Sequence, residues 1–354
     1  DIQNLTTDQI QALTTAQLRS LSTDAIGALS SDQIVALKTS QVAALSTANL
    51  AALSTTQIQA IETTDIAVLT TAQLVGMTVG NMGALTSDQI VALKTSQIAA
   101  LSTANLAALG TTQMQAIETA DIRALTTTQL RGLTEDNIAA LTTDQIRALT
   151  TSQIAGLSTT NIDNLTSDQL GALTTAQAAA LTTASFAGLS TTDIQNLTTD
   201  QIQALTTAQL VALSSTNIQA LSTDQIVALK TSQVAALSTA NLGALKTDQI
   251  QAIETTDIQA LTTTQLQGLS TTNIAALTTD QIVALKTSQI AGLSTTNLGA
   301  LTTDQIQAIE TADVQALTTA QLQGMTTTNI AALTTDQIRA LKTSQIAGLS
   351  TANI

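Results

Sequence analysis

Apolar residues recur along this chain in two columns, each with a period of eight. Stepping by eight from Leu5 gives Leu13, Leu21, Leu29, Leu37 and so on to Leu349, with only Ile61, Met77, Ile117, Ile253, Ile309 and Met325 departing from Leu. A second column runs from Ile2 through Ile10, Leu18 and Ile26 to Ile354 and holds almost entirely Ile, Leu, Val or Met. The unit reads Leu-[Ser/Thr]-Thr-x-[Gln/Asn/Asp]-Ile-x-[Ala/Gly]. No insertion or deletion breaks the phase, which is the signature of a tandem array. Length alone suggests about two domains; the unbroken register predicts instead one continuous repeat array over residues 1–354, a segment of a longer chain.

The spacing decides between local structures. The Leu and Ile columns lie five and then three residues apart, so on a strand they would point to opposite faces. An unbroken α-helix also fails, because eight residues overshoot two turns and the Leu column would drift by roughly 80° per octad. A helix restarted in every octad fits. In Leu5-Thr6-Thr7-Asp8-Gln9-Ile10, Thr6 takes the N-cap and Gln9 the third helical position, which forms a capping box. Leu5 and Ile10 take the two staple positions, and Asp8 sits where the helix dipole favours an anion. Leu13, Thr14, Gln17 and Leu18 repeat the scheme. Helices this short do not persist alone, so neighbouring turns must stack, as in a solenoid. The predicted fold is all-α, a superhelix of very short helices, one per octad. A β-solenoid is the alternative, favoured by the Thr and Ile content.

A longer period overlies the octad. Asp-Gln-Ile-Val-Ala-Leu-Lys-Thr-Ser-Gln begins at Asp32, Asp88, Asp224 and Asp280, and recurs from Asp336 with Arg339 for Val. Ile-Glu-Thr-[Thr/Ala]-Asp begins at Ile61, Ile117, Ile253 and Ile309. The short interval is seven octads, and duplication of a seven-octad unit accounts for most of the identity. In the fifth column Gln alternates with Asn49, Asp65, Asn81, Asn105, Asp121, Asn137 and Asn161 in a 2-2-3 rhythm of octads. Gly76, Gly132 and Gly268 each precede an Asn octad. A glycine at a helix end suggests a left-handed cap, so these positions are expected to mark sharper corners of a superhelix with a non-integer number of octads per turn. Ala178 and Phe186, in successive octads, read as a small–large exchange that conserves core volume.

Composition then narrows the chemistry. The 354 residues include no Cys, His, Pro, Trp or Tyr and a single Phe, with 25 acidic and 11 basic side chains and a net charge of −14. The usual zinc sites, thiol nucleophiles, Ser-His-Asp triads and His- or Cys-ligated haem are thereby excluded. Acidity and the lack of aromatics remove both driving terms for nucleic-acid binding. No apolar run reaches membrane-spanning length, and no signal peptide is expected within these residues. The expectation is a chain that is not an enzyme, with no cofactor, no metal, no nucleic-acid partner and no membrane span.

The remaining polar patterns have plain structural readings. Asp8, Asp32, Asp88 and Asp200 in the fourth column resemble a calcium ladder only loosely and suit helix N-termini. The Glu-Thr-Thr-Asp pairs Glu62/Asp65 and Glu254/Asp257 read as a solvated face rather than an acid/base dyad. Gly76, Gly80 and Gly83 lack phosphate-loop spacing. Asn4-Leu5-Thr6, Asn164-Leu165-Thr166 and Asn196-Leu197-Thr198 match the N-glycosylation triplet, a weak signal in so Thr-rich a chain. Lys38, Lys94, Lys230, Lys286 and Lys342 replace the cap hydroxyl, and are candidates for contacts with Glu62, Glu118, Glu254 and Glu310 on a neighbouring turn or chain. Isolated surface pairs add little stability, so such contacts would set partner choice.

The tandem units Leu-Thr-Thr-Asp-Gln-Ile-Gln-Ala and Leu-Thr-Thr-Ala-Gln-Leu resemble the Thr/Ala/Gln-rich octapeptide arrays of large secreted or surface proteins of Gram-negative bacteria, adhesin-like or filament-forming. The resemblance spans the chain at the level of the repeat. It implies export and an extracellular or cell-surface filament, sheath or stalk role with self-association, or alternatively an adhesin spacer presenting a surface for a glycan or host ligand.

Overall fold

The computed structural model describes residues 2–349; Asp1, Asn353 and Ile354, the mid-octad ends of the sequence pattern, lie outside them. Among the described residues the chain forms one 3-10 helix (Ile2–Asn4) and 43 α-helices of four to six residues, with no strand. The helices are numbered in chain order from α1 (Thr7–Ala12) to α43 (Thr343–Gly348). The short-helix reading holds, and the β-solenoid alternative is set aside.

Each octad folds as its cap dictates. Thr6 is extended (φ −71°, ψ 161°), and its hydroxyl accepts from the Gln9 backbone N–H while the Gln9 side chain accepts from the Thr6 N–H. The helix runs to Ala12. Leu13 (φ −61°, ψ 136°) and Thr14 (φ −73°, ψ 156°) then form a two-residue extended corner, after which the next helix, α2 (Thr15–Ser20), begins. The Leu13 N–H closes back on the Ile10 carbonyl at 3.2 Å, so the corner keeps the last turn hydrogen-bonded. Among the described residues two to four residues separate one helix from the next.

The helices group into two compact units, Asp1–Ala180 and Leu181–Ile354. Within each, a helix packs against the third helix before and after it, so one superhelical turn takes between three and four octads. Both apolar columns are buried, and the open turns show how they are layered. In the first turn of the first unit Leu5, Leu13 and Leu21 are only half-buried, while Ile10, Leu18 and Ile26 are fully covered. In the last turn of the second unit the pattern inverts, and Ile338 and Ile346 are 41% and 44% exposed. The Leu column of one turn therefore seats on the turn before it, and the Ile column is covered by the turn after it. Ala178 and Phe186 are both fully buried, each within its own unit.

The glycine expectation fails. Gly76, Gly132 and Gly268 have φ of −80°, −83° and −78°, and among the described residues no glycine has a positive φ. What they supply is clearance. A Cβ on Gly132 would lie 2.9 Å from the Thr103 side chain one turn away, and one on Gly268 would lie 2.9 Å from Thr239. The shorter amide that follows belongs to the same strip. Asn137 reaches the Leu109 carbonyl at 2.7 Å, and Asn273 reaches Leu245 at 3.0 Å. Glycine and asparagine together mark places where successive turns come close. The non-integer superhelix is present without any left-handed corner.

Candidate functional site: the amide ladder between turns

The most heavily used side chain is the fifth-column glutamine. Its Oε1 caps its own helix, and its Nε2 reaches down to the turn beneath. Gln41 accepts from the Lys38 N–H at 2.7 Å and donates to the carbonyls of Ile10 at 2.9 Å and Leu13 at 2.7 Å. Gln89 donates to Ile58 and Ile61, Gln145 to Met114 and Ile117, Gln281 to Ile250 and Ile253, and Gln345 to Val314 and Leu317. The acceptors lie 28 and 31 residues earlier: the first is the carbonyl of the corner residue itself, as at Leu13, and the second, as at Ile10, already accepts the corner N–H and takes the amide as a second donor. These amides are buried, with Gln145 1% exposed. A buried polar group must be paired, and here the same group satisfies two turns.

Sequence reasoning assigned the glutamine to capping alone and missed its second bond. A partial signal was available: a capping box accepts Glu as readily as Gln, yet Glu never stands in the fifth column, where amides predominate and the carboxylates are the shorter Asp, as at Asp65, Asp121, Asp193, Asp257 and Asp313.

The positions singled out in the sequence fall as follows. Thr6 and Thr14 are N-caps, Gln9 and Gln17 complete capping boxes, and Ile10 and Leu18 are core. In the first turn Gln9 and Gln17 are exposed. Asp8, Asp32, Asp88 and Asp200 each lie in the first turn of a helix. Lys38, Lys94, Lys230, Lys286 and Lys342 are exposed N-caps whose side chains make no capping bond, and the same holds for Glu62, Glu118, Glu254 and Glu310. Without the hydroxyl, the N–H at the third helical position turns to the cap carbonyl instead, as from Gln41 to Lys38 at 2.8 Å and from Asp65 to Glu62 at 2.9 Å.

The lysine and glutamate helices are stacked. Lys38 heads α5 (Thr39–Val42) and Glu62 heads α8 (Thr63–Ile66), which pack on each other one turn apart. The same relation joins Lys94 to Glu118, Lys230 to Glu254 and Lys286 to Glu310. The ion pairs within 4 Å among the described residues are elsewhere, Arg147–Asp144 at 3.5 Å and Arg339–Asp336 at 3.4 Å, both exposed. The Lys and Glu heads thus place opposite charges on adjacent turns without closing a bridge.

Asp65 is the electrostatic exception. It is 2% exposed, and its Oδ1 has no hydrogen-bond partner. Burial pushes its carboxyl above the ordinary value of 3.8; a hydrogen bond from the Thr39 side chain opposes the shift, and the Glu62 carboxylate adds to it. Among the described residues no group of three or more Asp, Glu, His or Cys side chains could hold a metal ion, and no helix is long and apolar enough to cross a membrane.

These features define a tandem-repeat solenoid in which capped helices of one to two turns are stitched by buried amides. The chain belongs to the ALTTAQ repeat family, which matches it in eleven segments, residues 2–39, 34–61, 58–95, 90–116, 114–151, 151–183, 205–239, 223–253, 250–287, 283–309 and 306–343. No curated protein matches the chain.

Proposed function

We propose that this repeat protein serves as an extracellular structural element, a filament, sheath or stalk at the cell surface, in which copies of the chain associate. The observation that carries the reading is the amide ladder. The recurrent buried side chains hold one turn to the next, and what the array offers outward is a surface of Thr, Ser and sparse charge with exposed valines such as Val35, Val91, Val227 and Val283. Stacked Lys and Glu heads supply alternating charges along that surface, suited to selecting a matching neighbour. The continuous octad phase from Leu5 to Leu349 suits a chain whose role scales with its length.

Negative-stain microscopy of the purified 354-residue chain tests the proposal. Ordered filaments or laterally registered bundles are expected. Isolated, unassociated particles at high protein concentration would overturn self-association and favour a spacer that carries an adhesive element elsewhere. Protease shaving of intact producing cells tests location, with loss of the chain expected before any cytoplasmic marker is cut.

A further inference from the structure

Asp65 stands where the ladder needs a donor. Asn81, two octads later in the same column, places its Nδ2 3.0 Å from the Leu53 carbonyl and 3.1 Å from Leu50, 28 and 31 residues earlier. The corresponding carbonyls for Asp65 are those of Leu37 and Ile34. Asp and Asn have the same shape, so the backbone site is the same and only the proton differs. An ionised Asp65 brings lone pairs to a place where its column neighbours Gln57, Gln73 and Asn81 bring N–H, and its Oδ1 is indeed buried and unpartnered. A group in that condition is costly.

We propose that Asp65 is a proton-operated latch between turns: when protonated, its carboxyl O–H donates to the Leu37 carbonyl as Asn81 donates to Leu53, and it fastens α8 to the corner that precedes α5. The proton comes from solvent and is held between the Asp65 carboxyl oxygen and the carbonyl; no other bond changes. The charged groups on the packed elements are Glu62 at the head of α8, Lys38 at the head of α5, and Asp88 on α11 (Ser87–Val91). Of these, Glu62 favours the protonated form, and the Thr39 side-chain hydrogen bond opposes it. The latch belongs to the fold itself and holds whether or not copies of the chain associate.

The sign follows from the raised carboxyl. The folded chain holds this proton more tightly than the unfolded one, so the stabilisation is fully present below the ordinary carboxylate range and is lost as pH rises through the raised value. The test uses the full chain, wild type and Asp65→Asn, labelled with carboxyl-13C aspartate. The resonance missing from Asp65→Asn belongs to Asp65, and its midpoint is expected above 3.8. Hydrogen-exchange protection of α8 is then compared at about pH 7 and about pH 4.5. Wild-type protection should rise on acidification by about five- to tenfold. Asp65→Asn should show that higher protection already at neutral pH and lose the rise, while Glu62→Gln keeps most of it. Asp65→Gln, which installs the commonest residue of the column, should behave as Asp65→Asn does. A missing resonance that titrates at or below 3.8, or α8 protection left unchanged or lowered at neutral pH by both substitutions, would overturn the latch.

Discussion

Replacing Gln145 by Glu tests the ladder at a single rung. The substitution is isosteric and keeps the oxygen that accepts from the Thr142 N–H at 2.7 Å, so the capping box survives. It removes the Nε2 that donates to Met114 at 2.8 Å and Ile117 at 2.6 Å. Two bonds are lost, each worth about 1 kcal/mol net, and the Ile117 carbonyl is left facing a carboxylate while Met114 keeps only the Ile117 N–H at 3.3 Å, a further cost of about 1–2 kcal/mol. The sum is about 3–4 kcal/mol, or on the order of several hundredfold in the local opening constant. A repeat array need not unfold in one step, so the measurement is native-state hydrogen exchange of α18 (Thr143–Ala148) and of the corner after Met114. Acidification should return part of the loss, because a protonated Glu regains one donor. Gln17→Glu is the control. Gln17 makes the same cap at 2.8 Å but is exposed in the first turn, and its helix should change by less than about threefold. A Gln145→Glu effect as small as that of Gln17→Glu would refute the ladder as the force that holds turns together.

Other expectations follow from the same geometry. Gly80 and Gly83 share α10 (Val79–Gly83), but a Cβ on Gly80 meets nothing closer than Thr78 Oγ1 at 3.9 Å, whereas one on Gly83 would lie 2.9 Å from the Ala108 carbonyl oxygen. Gly80→Ala should therefore stabilise by about 0.5–1 kcal/mol through helix propensity. Gly83→Ala should destabilise by about 1–3 kcal/mol through overpacking, and the two denaturant midpoints should move in opposite directions. Lys94→Ser restores a hydroxyl where the Gln97 N–H now turns to the Lys94 carbonyl at 2.8 Å, and should slow amide exchange in α12 (Thr95–Ile98) about fivefold, the worth of a cap. Raising salt should not lower the melting midpoint, since the ion pairs are exposed and add little while screening relieves the repulsion of a net charge of −14.

Much of the architecture was legible from the octad because it is written in local chemistry. Thr6, Gln9 and the Leu5/Ile10 pair specify a helix start through contacts no more than five residues apart, and the same cap restarts at Thr14 before α1 can lengthen. What joins one turn to the next was not legible, because it depends on residues 25 to 31 apart. The second bond of Gln41 to Leu13 spans 28 residues and leaves no mark within the octad beyond a preference for amides in its column. The glycines misled for the same reason. Gly132 at a helix end suggests a left-handed cap when read against its sequence neighbours, but its reason is Thr103, one turn away. The lysine and glutamate positions were candidates for contacts on a neighbouring turn or chain; the helices that carry them stack, but among the described residues no ion pair joins them, a matter of side-chain direction, which the spacing does not contain.

The central claim, that the chain returns upon itself about every 28 residues, can be tested with one engineered cross-link. The chain has no cysteine, so a Thr319→Cys/Gly348→Cys pair has no competitor. A Cβ at Gly348 would lie 3.3 Å from that of Thr319, close to disulfide range. In an unbroken helix, residues 29 apart would be about 44 Å distant. Rapid intramolecular disulfide formation under mild oxidation, seen as a monomer of altered mobility on a non-reducing gel, is the expected result. A helical chain that stays reduced, or links only between molecules, would contradict the stacked turns.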